Sequence, residues 1–163
     1  MAWNSIDLPG AVIADVDSSQ VFQLGTTCQA RNTASSTGWI GEFMYVKGVA
    51  SAAAGKWVSI NFDDYGTALL ADGHVGPVGV AMSSIVASTF GWVQIKGKAS
   101  GLLAASVADN AALYTSATAG TADGTAASQS EITGARAAAA SGSSAANTDV
   151  EIMYPHCNSL AGS

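Results

Sequence analysis

Short segments in which apolar and polar residues alternate follow one another along most of the chain. The clearest is residues 90–96, where Val93 and Ile95 fall on one side and the even-numbered residues on the other. A two-residue period rich in aromatic and β-branched residues is typical of a half-buried strand. The same pattern predicts further strands at 21–25, 43–48, 57–62 and 113–114. We expect 43–48 and 57–62 to form an antiparallel hairpin and 29–38 to form a polar loop.

The last third of the chain is low in complexity. Its alanine runs are interrupted every few residues by Gly, Ser, Thr or Asp, which favours long loops and a few strands, with at most a short helix at 135–140. Two units also resemble each other: 78–81 followed by 92–95, and 133–136 followed by 149–152. Each unit indicates a strand, a bridge of small residues and a second strand. Two such hairpins would fit together in one small barrel or sandwich, so the predicted class is all-β.

Residues 1–20 are interpreted as an extended arm in front of a single β-rich domain at 21–163. The arm is interrupted by Pro9 and Gly10, and its apolar residues need a surface to cover them, either on the same subunit or on another. An ordinary first strand packed into the chain's own core is the alternative. The residues expected to contact a partner are Trp3, Ile6, Leu8, Val12 and Ile13. No basic stretch precedes an apolar core, so no secretory signal is expected.

Charge is scarce in this chain of 163 residues. Charged residues make up 11% of the sequence, against about 25% in an average soluble domain. A surface so poor in charge favours association, which indicates that much of it is covered in an assembly. Only six Lys and Arg residues stand against twelve Asp and Glu, which argues against a nucleic-acid partner. No run of about 18 apolar residues occurs, so no membrane span is expected.

The residue types that carry chemistry are scattered. Asp63 and Asp64 are adjacent and are expected in a solvated turn, and Asp15 and Asp17 lack the further acidic residues of a calcium loop. Zinc sites rely on closely spaced pairs, which the two histidines and two cysteines do not form. No nucleophile elbow of the Gly-x-Ser-x-Gly type is present. We therefore expect no catalytic site, metal or cofactor, and two reduced thiols at Cys28 and Cys157.

Tryptophans allow two interpretations. Trp57 and Trp92 lie in predicted strands and either fill the core or anchor an interface. Trp3 lies so near the start of the chain that only docking against another surface would bury it.

Several segments, taken in order, resemble the head-decoration (capsid cement) proteins of tailed bacteriophages. They are VFQLGT (21–26), FMYVKG (43–48), GKWVSI (55–60), VGVAMSSIVASTFGWVQIKGKAS (78–100), ALYTSATAGTAD (112–123), ITGARAAAA (132–140) and DVEIM (149–153). The most specific of these are GWVQIKG with its upstream VGVA, and SATAGTAD. The loop at 29–38 and the tail at 154–157 are less typical of such proteins.

This resemblance implies a small β-barrel or β-tulip-like domain that forms a homotrimer. It further implies binding to the major capsid protein on the outer capsid surface of the virion, after synthesis in the host cytoplasm. Such a protein holds neighbouring capsid subunits together against the pressure of packaged DNA. The alternative function is a surface-exposed β-sandwich of a virion that binds glycans or a host surface.

Overall fold

The computed structural model describes residues 2–48, 52–126 and 129–158, and these residues form ten β-strands and no helix. The predicted all-β class is therefore confirmed. The strands in chain order are β1 Trp3–Ser5, β2 Thr27–Asn32, β3 Ile40–Gly48, β4 Trp57–Ile60, β5 Gly66–Leu69, β6 Gly76–Ala81, β7 Phe90–Leu103, β8 Ala112–Tyr114, β9 Glu131–Ala137 and β10 Ala146–Cys157.

Five strands close into a small barrel. β3, β5, β4, β6 and β7 are hydrogen-bonded in that order, and β7 pairs back onto β3 to complete the ring. The β3–β5 pair is parallel and the other four are antiparallel. Val46, Val58 and Val93 pack together in the interior, whereas the residues that precede them, Tyr45, Trp57 and Trp92, belong to the other two clusters. The alternation of the strands thus separates the barrel interior from its outer face.

A second layer covers one side of the barrel. The C-terminal half of β7 pairs with β10, which pairs with β9, which pairs with β8. The largest cluster of buried residues lies beneath this layer, and it includes Trp57, Leu103, Leu113, Ile132 and Val150.

The long strand β7 belongs to both layers. Residues 90–96 pair with β3, whereas residues 96–103 pair with β10. The exchange of partners occurs at Gly97, whose φ of +101° is a backbone conformation that side chains disfavour. A Cβ atom at this position would lie 2.7 Å from the carbonyl oxygen of Ile40. Glycine is therefore required where the two layers meet.

The N-terminal segment packs on the outer face of β3 and β7. β1 pairs with β2, and residues 6–26 continue without a named strand except for an isolated bridge between Asp17 and Phe90. A third buried cluster joins this segment to the barrel through Trp3, Ile13, Phe43, Tyr45 and Trp92. The surface that covers the buried residues of the N-terminal segment therefore belongs to the same chain and not to another subunit.

Several local predictions were wrong. Residues 21–25 are not a strand, and residues 135–137 belong to β9 rather than to a helix. The predicted polar loop begins within β2, whose small buried residues Cys28 and Ala30 concealed the alternation. The predicted hairpin of β3 and β4 does not form, because β5 lies between them. The two repeated units, in contrast, do form the antiparallel pairs β6–β7 and β9–β10.

Candidate docking surfaces

The five residues predicted to contact a partner have different environments. Trp3 is 8% exposed and Ile13 is fully buried, and the Trp3 ring packs edge-on against Phe43 with 5.0 Å between ring centres. These two residues are core residues of the chain itself, which corrects the prediction that they face a partner. Leu8 packs against the same cluster and is half-buried. Ile6 and Val12 remain exposed.

Hydrogen bonds hold the N-terminal segment in place. The Tyr45 hydroxyl donates to Asp17 Oδ2 at 2.6 Å and accepts from the Val21 amide at 3.3 Å. Two backbone bonds of 2.9 Å join Asp17 to Phe90. Burial, together with the hydrogen bond to Asp17, raises the pKa of Tyr45 to about 12. The anchored segment presents Ile6, Val12, Val16 and Val21 to solvent, and we call these four residues the N-terminal surface.

A second apolar surface lies at one end of the barrel. A cavity of about 200 Å³ opens there, and Met44, Ile60 and Ile95 of the barrel interior line its floor. Its other lining residues are Phe62, Pro77, Val78, Tyr154, Pro155 and His156. Phe62 is 56% exposed and Tyr154 is 51% exposed, so both aromatic rings stand largely in solvent beside an apolar opening. We call this site the barrel-mouth cavity.

An irregularity in β10 positions Tyr154. The register of β10 against β9 shifts between Ile152 and His156, and Tyr154 adopts a φ of +48°. The Tyr154 hydroxyl donates to Glu42 Oε2 at 2.7 Å, and Lys96 Nζ lies 5.4 Å from the ring centre. The hydrogen bond to the Glu42 carboxylate raises the pKa of Tyr154. The shift leaves two consecutive large side chains, Met153 and Tyr154, exposed.

The turn between β4 and β5 positions Phe62. Asn61 Oδ1 accepts from the Asp63 amide at 3.0 Å, and Asp64 Oδ1 accepts from the Gly66 amide at 2.9 Å. The turn ends at Tyr65, whose φ is +53°. Asp63 and Asp64 are exposed in this turn, as predicted.

A wider groove of about 450 Å³ adjoins the barrel-mouth cavity. The two share Ile60, Phe62 and Pro77 as lining residues, and the groove extends past Asp64 and Val75. Val75 is 57% exposed, so the apolar surface continues from the cavity into the groove.

The thiols, histidines and carboxylates do not converge on a common site. In the described ranges no group of three or more His, Cys, Asp or Glu residues could hold a metal ion. Cys28 and Cys157 are free and lie in different buried clusters, and burial raises the pKa of each thiol to about 12. Burial lowers the pKa of His74, which lines the groove. The barrel-mouth cavity, in contrast, is lined mainly by apolar side chains and is suited to contacts with other apolar side chains.

The residue pattern only partly revealed these surfaces. Trp57 and Trp92 proved to be core residues. Phe62, Val75, Met153 and Tyr154 were not predicted as contact residues. For Met153 and Tyr154 the available signal was the sequence Met-Tyr-Pro, which interrupts the alternation of β10. Tyr154 precedes a proline, and the backbone of such a residue is restricted.

Comparison with known proteins adds no assignment to this geometry. Within the described residues, no helix has the length and apolar character needed to cross a membrane. A scan of the sequence against protein-family models finds no match, and no curated protein matches it significantly.

Proposed function

We propose that the chain is a structural virion protein that binds the outer surface of an expanded phage capsid as a homotrimer. There it contacts the major capsid protein and holds neighbouring capsid subunits together. The observation that carries this proposal is the presence of two separate apolar surfaces on one all-β framework. The N-terminal surface consists of exposed residues of segment 6–21, and the barrel-mouth cavity is lined by residues of β3, β4, β6, β7 and β10.

A protein that links subunits needs more than one contact surface. Each contact can be weak, because binding at one site raises the effective concentration at the next. The low content of charged residues supports extensive coverage of the surface, and the order of sequence segments resembles that of capsid cement proteins.

The N-terminal surface supports a specific mode of attachment. β1 is at one end of the strand order, and among the described residues only one of its edges is paired, with β2. A strand of the capsid protein could pair with the other edge, and main-chain hydrogen bonds would then supply affinity. Ile6, which directly follows β1, would lie next to that contact.

The test combines light scattering with binding to expanded empty capsids of the parent phage. We expect a small symmetric oligomer in solution and saturable co-sedimentation with capsids. Because Trp3 is a core residue, deletion of residues 1–10 would disturb the fold, and the double variant Ile6→Ser/Val12→Ser is the sharper probe. It should fold normally and bind capsids more weakly. A monomer that never binds capsids would refute the proposal.

Glycan binding is the second candidate function. Trp39 is half-buried beside a groove of about 410 Å³ that Lys98 and Glu151 also line, and such an arrangement suits sugars. However, Lys98 Nζ lies 4.2 Å from the centre of the Trp39 ring, where a sugar would have to stack. Binding to a glycan array without affinity for capsids would favour this function.

A further inference from the structure

We propose that the barrel-mouth cavity binds one apolar side chain from an extended segment of another protein, in which a Lys or Arg stands next to that side chain. The inference deepens the proposed function and rests on it in one respect, since the segment would belong to the capsid protein. The cavity itself can be tested without capsids.

The size of the cavity limits what it can hold. Apolar cavities of about 150 Å³ bind benzene, so a volume of about 200 Å³ accommodates one side chain of the size of leucine or phenylalanine. Met44, Ile60 and Ile95 at its floor are apolar, and so are Phe62 and Pro77 at its wall. A polar side chain would lose its hydration there without gaining partners.

The walls are held open before any ligand arrives. Phe62 belongs to a turn fixed by two side-chain hydrogen bonds, and Tyr154 is held by its bond to Glu42. Tyr65 and Tyr154 both adopt positive φ, which is uncommon for residues with a large side chain. Backbone conformations of this kind persist where the surroundings enforce them, and a preformed site loses less entropy on binding.

The rim next to Phe62 is acidic. Asp63 and Asp64 are exposed in the turn, and Asp64 also lines the adjoining groove. No Lys or Arg lines the described walls of the cavity or the groove. Next to Tyr154, Lys96 and Glu42 both contact this residue, so their charges offset each other. A cation beside the bound apolar side chain would therefore be attracted to the two aspartates.

A second copy of this chain does not fit that chemistry. Among the described residues, no exposed large apolar side chain is adjacent in sequence to Lys or Arg. Ile6, Val16 and Phe62 are instead adjacent to aspartate. Docking one of these into the cavity would place carboxylates against carboxylates, and the other exposed apolar side chains of the described residues bring no adjacent Lys or Arg to the two aspartates. A different protein is therefore the occupant that fits this chemistry.

Methionine methyl signals report on this site directly. The full chain is labelled with ¹³C at its methionine methyl groups and titrated with the peptide acetyl-Ser-Leu-Arg-Ser-amide. Met44 lines the cavity, whereas Met82 lies against the N-terminal cluster and serves as the internal control. We expect a saturable shift of the Met44 signal with a dissociation constant of about 5 mM, which corresponds to the roughly 3 kcal/mol gained by burying one large apolar side chain. The Met82 signal should not move.

Two matched peptides separate the apolar contribution from the charge. The dissociation constant of acetyl-Ser-Leu-Glu-Ser-amide should be at least about three times that of the Arg peptide, and this difference should shrink at high salt. Acetyl-Ser-Ser-Arg-Ser-amide should leave the Met44 signal unchanged. Equal binding of the Arg and Glu peptides would overturn the basic requirement, and absence of any Met44 shift at about 10 mM peptide would overturn the site.

Variants of the wall and rim complete the test. Phe62→Ser should raise the dissociation constant of the Leu-Arg peptide about tenfold, because the cavity loses one aromatic wall. Asp63→Asn should leave the affinity for the Leu-Glu peptide unchanged or increase it. Val86→Ser is the control, since Val86 is exposed but lines neither the cavity nor the groove. Unchanged Met82 signals will show that each variant is folded.

Capsid binding then distinguishes the two levels of the proposal. If the wild-type protein binds capsids and Phe62→Ser does not, the segment belongs to the capsid protein. If both bind capsids equally well, the segment does not belong to the capsid protein, and that part of the inference fails while the proposed function stands. If the peptides shift Met44 but capsids are never bound, the cavity is a docking site and the proposed function fails.

Discussion

Gly97 offers the most quantitative test of the fold. The substitution Gly97→Ala places a Cβ atom where φ is +101°, 2.7 Å from the Ile40 carbonyl oxygen and 3.1 Å from Gly41 Cα. Both neighbouring atoms belong to the backbone of β3 and cannot move away without disturbing the barrel. The unfavourable φ costs about 1–3 kcal/mol, and relief of the close contacts costs about 1–3 kcal/mol more.

The unfolded state offsets part of this loss. Replacing glycine by alanine reduces the entropy of the unfolded chain and returns about 0.4–1 kcal/mol. The net destabilisation is then about 3 kcal/mol, a large part of the roughly 5–15 kcal/mol that stabilises a typical domain. For a chain of this length it corresponds to a fall in Tm of about 6–12 °C.

Two other glycines provide matched controls. Gly73 has a φ of +69°, but no atom of the described ranges lies within 4 Å of its would-be Cβ, so Gly73→Ala should cost only about 1 kcal/mol. Gly142 has no positive φ and no close neighbour in the part of the chain that the structure describes, and Gly142→Ala should be neutral or slightly stabilising. Urea unfolding with a constant m-value is the measurement. If Gly97→Ala is no more destabilising than Gly73→Ala, β7 does not approach β3 as described.

Three further outcomes are expected. Tyr45→Phe removes the hydrogen bonds with Asp17 and Val21 and should destabilise the protein by about 1–3 kcal/mol in urea unfolding; an unchanged midpoint would contradict the anchoring of the N-terminal segment. Stability should decline as the pH rises from 9 to 12, because the folded chain keeps the protons of Tyr45, Cys28 and Cys157 to a pKa of about 12 while the unfolded chain releases them near 9 or 10. A flat profile over this range would show that these groups are accessible to water. Both thiols should resist Ellman's reagent at pH 8 until the chain unfolds, and rapid labelling of either would contradict its burial.

Alternation along the chain predicted where most strands lie, because it reflects which side of a strand is buried. Residues 43–48 and 90–96 fall within β3 and β7 for this reason. Alternation does not determine which strands pair when partners are distant in sequence. The parallel β3–β5 pair and the insertion of β5 between β3 and β4 have no local signature, and a hairpin was expected instead.

The contact residues were harder to predict than the strands. Trp3 and Ile6 both look like unpartnered apolar residues in the sequence, yet Trp3 is buried against Phe43 and Ile6 is half exposed. The difference arises from the pairing of β1 with β2, which no nearby residue encodes. The barrel-mouth cavity likewise combines residues from β3, β4, β6, β7 and β10, so only the closed barrel brings them together.

The position of β10 in the chain has a consequence for biosynthesis. This strand pairs with β6, β7 and β9 and contributes Val150, Ile152 and Cys157 to the largest buried cluster, yet the ribosome makes it after all nine others. Until β10 leaves the exit tunnel, the partners it will join have open hydrogen-bonding edges. Folding is therefore completed only after translation of residue 157. Mispairing between copies is most favoured before that point, when several incomplete chains are crowded on one messenger RNA.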